Sequence, residues 1–239
     1  MTRRAAKQIV KREKFSNDFP ALEPLNNNQR KLQDVLRVSS LVLASGCAGT
    51  GKTFVACHHA AKALSTGVAK RIVLIRAYQP LAGRSIGFLP GTLEEKLLPY
   101  YQQMVDYFCT FLGKGVTDIH LKQRTIEICS LETIRGRSWD RSVIIVDEAQ
   151  SLMIPEAQAL VTRIGLNSQM VFCGDNGGTQ TDVKKGLDGL TYLERIIERY
   201  QIPDCSSVRF GLDDIVRSGI TQDFVYAFER ELQRKDSVR

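Results

Sequence analysis

An octapeptide at positions 46–53 constrains this chain more than any other feature of its sequence. It reads Gly-Cys-Ala-Gly-Thr-Gly-Lys-Thr and fits the pattern G-x-x-x-x-G-K-[ST]. An apolar stretch at 38–45 precedes it and predicts a strand, and an Ala-rich stretch at 54–65 follows it and predicts a helix. A glycine turn between a buried strand and a helix is typical of a parallel sheet that is covered by helices on both faces.

The rest of the chain continues this alternation of strands and helices. Its patterns predict strands at 71–75, 125–131, 142–147, 169–173 and 206–210, and helices at 26–37, 93–112, 155–164, 186–199 and 221–234. The helix at 93–112 is expected to be interrupted near Pro99, and the last helix to turn Phe224, Val225, Phe228 and Leu232 inward. The predicted fold class is therefore α/β, with a parallel sheet between two layers of helices.

The charge of the chain is concentrated at its start. Residues 1–14 carry six basic side chains against Glu13 alone, a local net charge of +5, and the whole chain has a formal net charge of +7. We expect residues 1–25 to form a basic, flexible N-terminal arm and residues 26–239 to form a single domain. Two interpretations of the arm remain open, a solvated tail or a segment that binds nucleic acid.

The six cysteines lie far apart, without the close pairs that bind zinc, and the three histidines show no metal-ligand spacing. No signal peptide and no apolar run long enough to span a bilayer are found. These features predict reduced thiols and a cytoplasmic protein that does not enter a membrane.

The octapeptide predicts a phosphate-binding loop. Its glycines allow backbone N–H groups to curl around phosphate oxygens at the N-terminus of a helix. Lys52 is expected to reach the β- and γ-phosphates of a nucleotide, and the Thr53 hydroxyl is expected to bind Mg²⁺. The residues expected to bind the nucleotide are Gly46, Cys47, Ala48, Gly49, Thr50, Gly51, Lys52 and Thr53.

Two acidic residues complete the predicted catalytic centre. The apolar run Val143–Val146 ends in Asp147 and Glu148. Asp147 is expected to lie beside the phosphate loop and to help to hold Mg²⁺, and Glu148 to orient and deprotonate the attacking water. An adjacent base favours hydrolysis over phosphoryl transfer to a small molecule.

The strand at 169–173 supplies a further candidate. It ends near Gly174 and Asp175, and Gln180 lies in the polar loop beyond them. Because parallel strands end at the same edge of a sheet, Gln180 could contact the γ-phosphate or the water. An ordinary polar loop is the alternative interpretation.

With these motifs in place, the chain from Asn26 to Ile220 resembles the PhoH-like ATPases, a family related to superfamily 1 helicase motors. The segments that carry the resemblance are the phosphate loop, Asn28-Gln29-Arg30, Gly87-Phe88-Leu89-Pro90-Gly91, Arg135-Gly136-Arg137, Asp147-Glu148-Ala149-Gln150, Thr162-Arg163-Ile164-Gly165, Gly174-Asp175 and Asp214-Ile215-Val216-Arg217.

The resemblance implies a RecA-like P-loop NTPase core that hydrolyses ATP with Mg²⁺ and assembles as a homo-oligomer, with a hexameric ring as a candidate form. Gln29 resembles the glutamine that reads the adenine edge. Arg217 resembles the late arginine of the family, which would stabilise transition-state charge across a subunit boundary. Single-stranded RNA or DNA is the candidate partner, because the basic arm, Arg84, Arg135, Arg137, Lys184 and Lys185 could hold its phosphate backbone. Simple solvation of these basic side chains at the surface is the alternative interpretation.

The chain departs from the family pattern at two places. The usual spacing is Gly-Asp-x-x-Gln, whereas four residues separate Asp175 from Gln180 here, which weakens the sensor role of Gln180. Arg76-Ala77 stands where an Arg-Pro pair is often found.

Three functions follow from this sequence. The first is a nucleic-acid-dependent ATPase, with helicase activity if it forms a ring. The alternatives are a P-loop kinase, against which Asp147 and Glu148 argue, and a non-enzymatic nucleotide-dependent switch or scaffold, which would not need all of Lys52, Thr53, Asp147 and Glu148.

Overall fold

The computed structural model describes residues 19–77, 93–175, 183 and 188–236. The predictions that concern the arm at 1–18, Arg84, Gln180, Lys184 and Lys185 lie outside these residues. Within them, seven α-helices and six strands alternate along the chain.

The strands are β1 (Leu41–Gly46), β2 (Arg71–Arg76), β3 (Ile126–Cys129), β4 (Ser142–Asp147), β5 (Gln169–Gly174) and β6 (Cys205–Phe210). The helices are α1 (Asn27–Leu36), α2 (Lys52–Ser65), α3 (Leu93–Leu112), α4 (Lys114–Lys122), α5 (Ile154–Val161), α6 (Gly189–Tyr200) and α7 (Ile220–Asp236).

One parallel sheet organises the molecule, with the strand order β3-β2-β4-β5-β1-β6. The phosphate-loop strand β1 and the Asp147 strand β4 are therefore separated by β5 alone. All three end at the same edge of the sheet, because the strands are parallel. The predicted α/β fold, a parallel sheet between two layers of helices, is confirmed.

Side chains alternate between the two faces of the sheet and form two cores. On β1, Val42 and Ala44 face a core that includes residues of α1, α2 and α3, whereas Leu41 and Leu43 face a core that includes residues of α5 and α6. This alternation accounts for strands that are apolar at every position, since both faces are buried by helices.

The structure differs from the sequence expectations at three helices. Pro99 lies inside α3, which runs without a break from Leu93 to Leu112, so the predicted interruption is wrong. The short helix α4 was not predicted at all. Phe224 and Phe228 on α7 are 54% and 57% exposed, so the prediction that they face inward is wrong. Their rings lie 5.7 Å apart and cover each other instead of entering the core.

Candidate nucleotide-binding site

The predicted phosphate loop lies between β1 and α2, as its sequence requires. Gly49 and Gly51 have φ angles of 78° and 84°, in the left-handed region that favours glycine. Gly46 has a φ of 123°, and a Cβ atom there would lie 1.9 Å from the carbonyl oxygen of Phe210 on the neighbouring strand β6. Glycine is therefore needed at Gly46 for the backbone angle and also for the close approach of two strands.

Lys52 lies in the curve of this loop. Its Nζ donates to the carbonyl oxygens of Gly46 and Cys47, each at 2.7 Å, and lies 3.2 Å from the Thr50 hydroxyl. Burial lowers the pKa of Lys52, while Asp175 and other groups oppose that shift. An anionic phosphate in the loop would favour the charged form and give the ammonium group stronger acceptors than the carbonyls.

The last residue of the loop meets the predicted metal-binding acid. The Thr53 hydroxyl donates to Oδ1 of Asp147 at 2.8 Å. Burial, followed by the neighbouring Glu148, raises the pKa of Asp147, and Arg76 and the Thr53 hydrogen bond act in the opposite direction. A hydroxyl and a carboxylate are the oxygen ligands that Mg²⁺ prefers, so these two residues fit a Mg²⁺ ion that is bound with phosphate.

Glu148 follows Asp147 at the edge of the sheet. Its backbone has φ 53° and ψ 40°, a left-handed conformation that is uncommon for a residue with a side chain. This turn ends β4 and brings the half-exposed carboxylate to the border of the same cavity as the phosphate loop.

Two residues that sequence reasoning did not assign to the site contact Glu148. Arg76 at the end of β2 places Nη2 3.2 Å from Oε1 of Glu148 and Nε 3.8 Å from Oδ2 of Asp147. The Gln150 side-chain amide donates to Oε2 of Glu148 at 2.6 Å. The position of Arg76 at the end of a parallel strand was the one available signal for its role.

Gln29 contacts the phosphate loop from α1. Its side-chain amide donates to the carbonyl of Thr50 at 3.0 Å, and its Oε1 accepts from the backbone N–H of Leu25 at 2.9 Å. The amide thus supports the loop and also lines the cavity. Its predicted role in reading adenine stays a prediction.

The segment before Arg217 is tied to the same helix. Asn28 donates to the Asp214 carboxylate at 2.7 Å, and Asn26 donates to the Asp214 carbonyl at 2.9 Å. Beyond Asp214, the backbone N–H of Val216 donates to the carbonyl of Gly49 at 3.0 Å.

Arg217 consequently lies over the phosphate loop of its own chain. A Cβ atom on Gly49 would lie 3.0 Å from Cδ of Arg217. The family resemblance predicts that Arg217 acts across a subunit boundary, whereas the structure of the single chain places it beside its own phosphate loop.

These residues surround a cavity of about 520 Å³. Polar residues that line it include Lys52, Thr53, Asp147, Glu148, Asp175 and Arg217, and its apolar lining includes Leu22, Leu25, Phe54, Tyr107 and Val216. A cavity with both kinds of wall can take the phosphates and the base of one nucleotide. In the described part of the chain, no group of three or more His, Cys, Asp and Glu side chains is arranged to hold a metal ion.

Arg135 and Arg137, two of the residues predicted to hold nucleic acid, lie in the described part of the chain. Arg137 donates to Glu127 at 2.7 Å and lies 5.3 Å from the Trp139 ring, which is buried in the core, and Arg135 is exposed.

All six cysteines lie in the described ranges, and none of them forms a disulfide there. Within the same ranges, every helix is too short or too polar to cross a bilayer.

The parallel sheet, the glycine loop and the buried acid at the end of β4 define a P-loop NTPase site. Comparison with known sequences places the chain more narrowly: it belongs to the family described as PhoH-like protein, whose profile matches residues 21–229.

Individual relatives agree with this assignment. A PhoH-like protein of Bacillus subtilis is 34% identical over 204 residues, which cover 85% of this chain and 62% of the relative. A PhoH-like protein of Mycobacterium tuberculosis strain H37Rv is 33% identical over 87% of this chain and 58% of the relative. Protein PhoH of Escherichia coli K12 is 31% identical over 89% of this chain and 60% of the relative. The chain thus spans about three fifths of the length of these relatives.

Among solved structures, the Pif1 helicase from Candida albicans is similar over 79% of this chain and 40% of its own chain, with 20% sequence identity and a TM-score of 0.38.

Proposed function

We propose that this chain binds ATP with Mg²⁺ in the cavity above β1, β4 and β5 and hydrolyses it. The observation that carries the proposal is the contact of 2.8 Å between Thr53 and Asp147, because it joins a phosphate loop to a buried carboxylate in one oxygen-rich site. A kinase would also need an acceptor pocket, whereas the residue beside Asp147 is a glutamate suited to activating water.

The residues have complementary roles in this reaction. Thr53 and Asp147 would hold Mg²⁺, which would offset the negative charge of the phosphates. When ATP binds, the Lys52 ammonium group gives up its hydrogen bonds to the carbonyls of Gly46 and Cys47 and donates to phosphate oxygens instead. Arg217 neutralises charge that develops on the phosphates, acting on the nucleotide of its own chain.

Glu148 accepts a proton from the attacking water. The water oxygen forms a bond to the γ-phosphorus, and the bond from that phosphorus to the β-phosphate oxygen breaks with its electron pair remaining on ADP. The products are ADP and inorganic phosphate, and the proton on Glu148 returns to solvent.

We propose that single-stranded RNA or DNA stimulates this turnover. The support is the basic balance of the chain, with 33 Lys and Arg residues against 26 Asp and Glu residues. Assembly as a homo-oligomeric ring with helicase activity follows from the family resemblance alone and stays a prediction.

The test is steady-state ATP hydrolysis with and without single-stranded RNA or DNA, at low and at high salt, with Lys52→Ala as the control. Turnover that Lys52→Ala abolishes supports the site. Stimulation that high salt removes supports a nucleic-acid partner, because phosphate contacts weaken steeply with salt. Turnover that persists in Lys52→Ala would refute the proposed ATP site. Turnover that neither RNA nor DNA changes would refute the proposed nucleic-acid partner.

A further inference from the structure

Both carboxylate oxygens of Glu148 are held by side chains outside the phosphate loop. Nη2 of Arg76 lies 3.2 Å from Oε1, and Nε2 of Gln150 lies 2.6 Å from Oε2. A carboxylate has about four acceptor positions, so each oxygen keeps a lone pair for a proton. These contacts fix the direction of the carboxylate without removing its capacity to act as a base.

Gln150 connects this carboxylate to the next strand of the sheet. Its Oε1 accepts the backbone N–H of Asp175 at 2.9 Å, just after β5 ends. The side chain is 2% exposed, and a Cβ atom on Gly174 would lie 2.9 Å from its Oε1. Gln150 therefore has little room for another rotamer, and its donor group stays directed at Glu148.

Arg76 is fixed in a similar way on the other side. Its guanidinium donates to the carbonyl oxygen of Tyr100 on α3, and its backbone N–H donates to the Tyr101 hydroxyl at 3.0 Å. The Tyr101 hydroxyl in turn donates to the carbonyl of Cys129 at 3.0 Å. Helix α3 thus holds the arginine in place beside Glu148.

We propose that Arg76 and Gln150 are positioning residues that hold the Glu148 carboxylate in the orientation from which it activates water. The inference rests on the proposed function, because it assumes that Glu148 is the base. A glutamate side chain has several rotatable bonds, and ordering it costs conformational entropy. The two contacts make this ordering part of the folded structure, so the base is preorganised before ATP arrives.

The test is a set of double-mutant cycles on the full chain. Arg76→Met and Gln150→Met remove the polar contacts and retain much of the side-chain volume. Each is made alone and together with Glu148→Gln, and kcat, KM and the ATP dissociation constant are measured. Arg71→Met, at the other end of β2, is the matched control for Arg76, because its ion pair to Glu127 spans 3.4 Å at the surface.

We expect each single variant to lower kcat by roughly tenfold to a hundredfold, which is the usual loss when a supporting residue of a site is removed. ATP affinity should change little, because neither residue belongs to the phosphate loop. In the Glu148→Gln background neither substitution should lower kcat further, since the carboxylate they orient is already absent. Arg76→Lys should recover part of the loss, because it restores a cation with poorer geometry.

Unchanged kcat in Arg76→Met would overturn the proposal. So would a full additional loss in the Glu148→Gln background, because Arg76 would then act through Asp147 or the fold. A kcat of Glu148→Gln equal to wild type is a different result, since it refutes Glu148 as the base, whereas absence of ATP turnover in the wild-type protein would refute the proposed function itself. Unfolding temperatures identify any variant that is misfolded, and Arg76→Lys then provides the test of the arginine.

Discussion

The Thr53 hydroxyl donates a hydrogen bond of 2.8 Å to Asp147, a residue 94 positions later in the chain. The contact exists because β5 alone separates the strands β1 and β4, which end at the same edge of the sheet. It brings the end of the phosphate loop and the buried carboxylate together, so both groups can bind one Mg²⁺ ion.

Thr53→Ala should weaken ATP binding in the presence of Mg²⁺ by roughly 1.5–3 kcal/mol, a factor of about 13 to 160, since one oxygen ligand is removed. Without Mg²⁺ the two proteins should bind alike. Titration of a fluorescent ATP analogue with Mg²⁺ and with chelator measures both affinities. Thr53→Ser keeps the hydroxyl and serves as the control. An equal loss with chelator would mean that Thr53 does not act through the metal.

Arg217 should act on the nucleotide of its own chain. The carbonyl of Gly49 accepts the N–H of Val216, which fixes the residue beside the loop. Arg217→Ala should lower kcat by about 10³-fold or more if it stabilises the transition state.

Mixing Arg217→Ala with Lys52→Ala protein separates the two possible geometries of Arg217. If Arg217 acts within its own chain, the mixture stays inactive at every ratio. Recovery of ATP hydrolysis in the mixture would show that Lys52→Ala subunits supply Arg217 to their neighbours, as the sequence analysis expected.

Gly46→Ala should destabilise the fold strongly, because its Cβ would overlap the backbone of Phe210. We expect a loss of about 3 kcal/mol or more in the free energy of unfolding. Gly67 is the matched control, because it has a φ of 73° and a Cβ added there would meet no atom within 4 Å. Gly67→Ala should cost only about 1 kcal/mol for the backbone angle. Equal losses in urea denaturation would contradict the close contact at Gly46.

The stability should fall in mild acid, in part through His59. Burial lowers the pKa of His59 from its ordinary value of 6.5 to about 4. Between these values the unfolded chain binds more protons than the folded chain, so the free energy of unfolding decreases as the pH falls through this window.

His59→Gln should lose less stability than wild type between pH 7.5 and pH 4.5, measured by urea denaturation. His58, whose pKa burial also lowers, should retain part of the dependence in this variant. The same loss in His59→Gln and in wild type would remove His59 from the explanation.

Much of the fold followed from the sequence, because the glycine loop and the apolar strands produce strong local patterns. The β4 strand was predicted with the bounds that the structure has. The inward direction predicted for Phe224 and Phe228 failed because periodicity identifies a face of a helix but not whether anything covers it.

Some site residues could not be predicted for a related reason. Arg76 and Gln150 stand in segments that were compared with the family, but no sequence pattern shows their contacts to Glu148, which form only when β2, β4 and β5 come together in the sheet. Helix α4 was missed because its nine residues give too few turns for a clear apolar stripe.

Steady-state ATP hydrolysis by wild type and by Glu148→Gln, with ATP affinity measured on both, tests the central claim most directly. The account predicts turnover in wild type, and in Glu148→Gln nearly unchanged affinity with kcat lower by about 10²-fold or more. Glu132→Gln, an exposed glutamate outside the cavity, should match wild type. A Glu148→Gln protein that hydrolyses ATP at the wild-type rate would contradict the account.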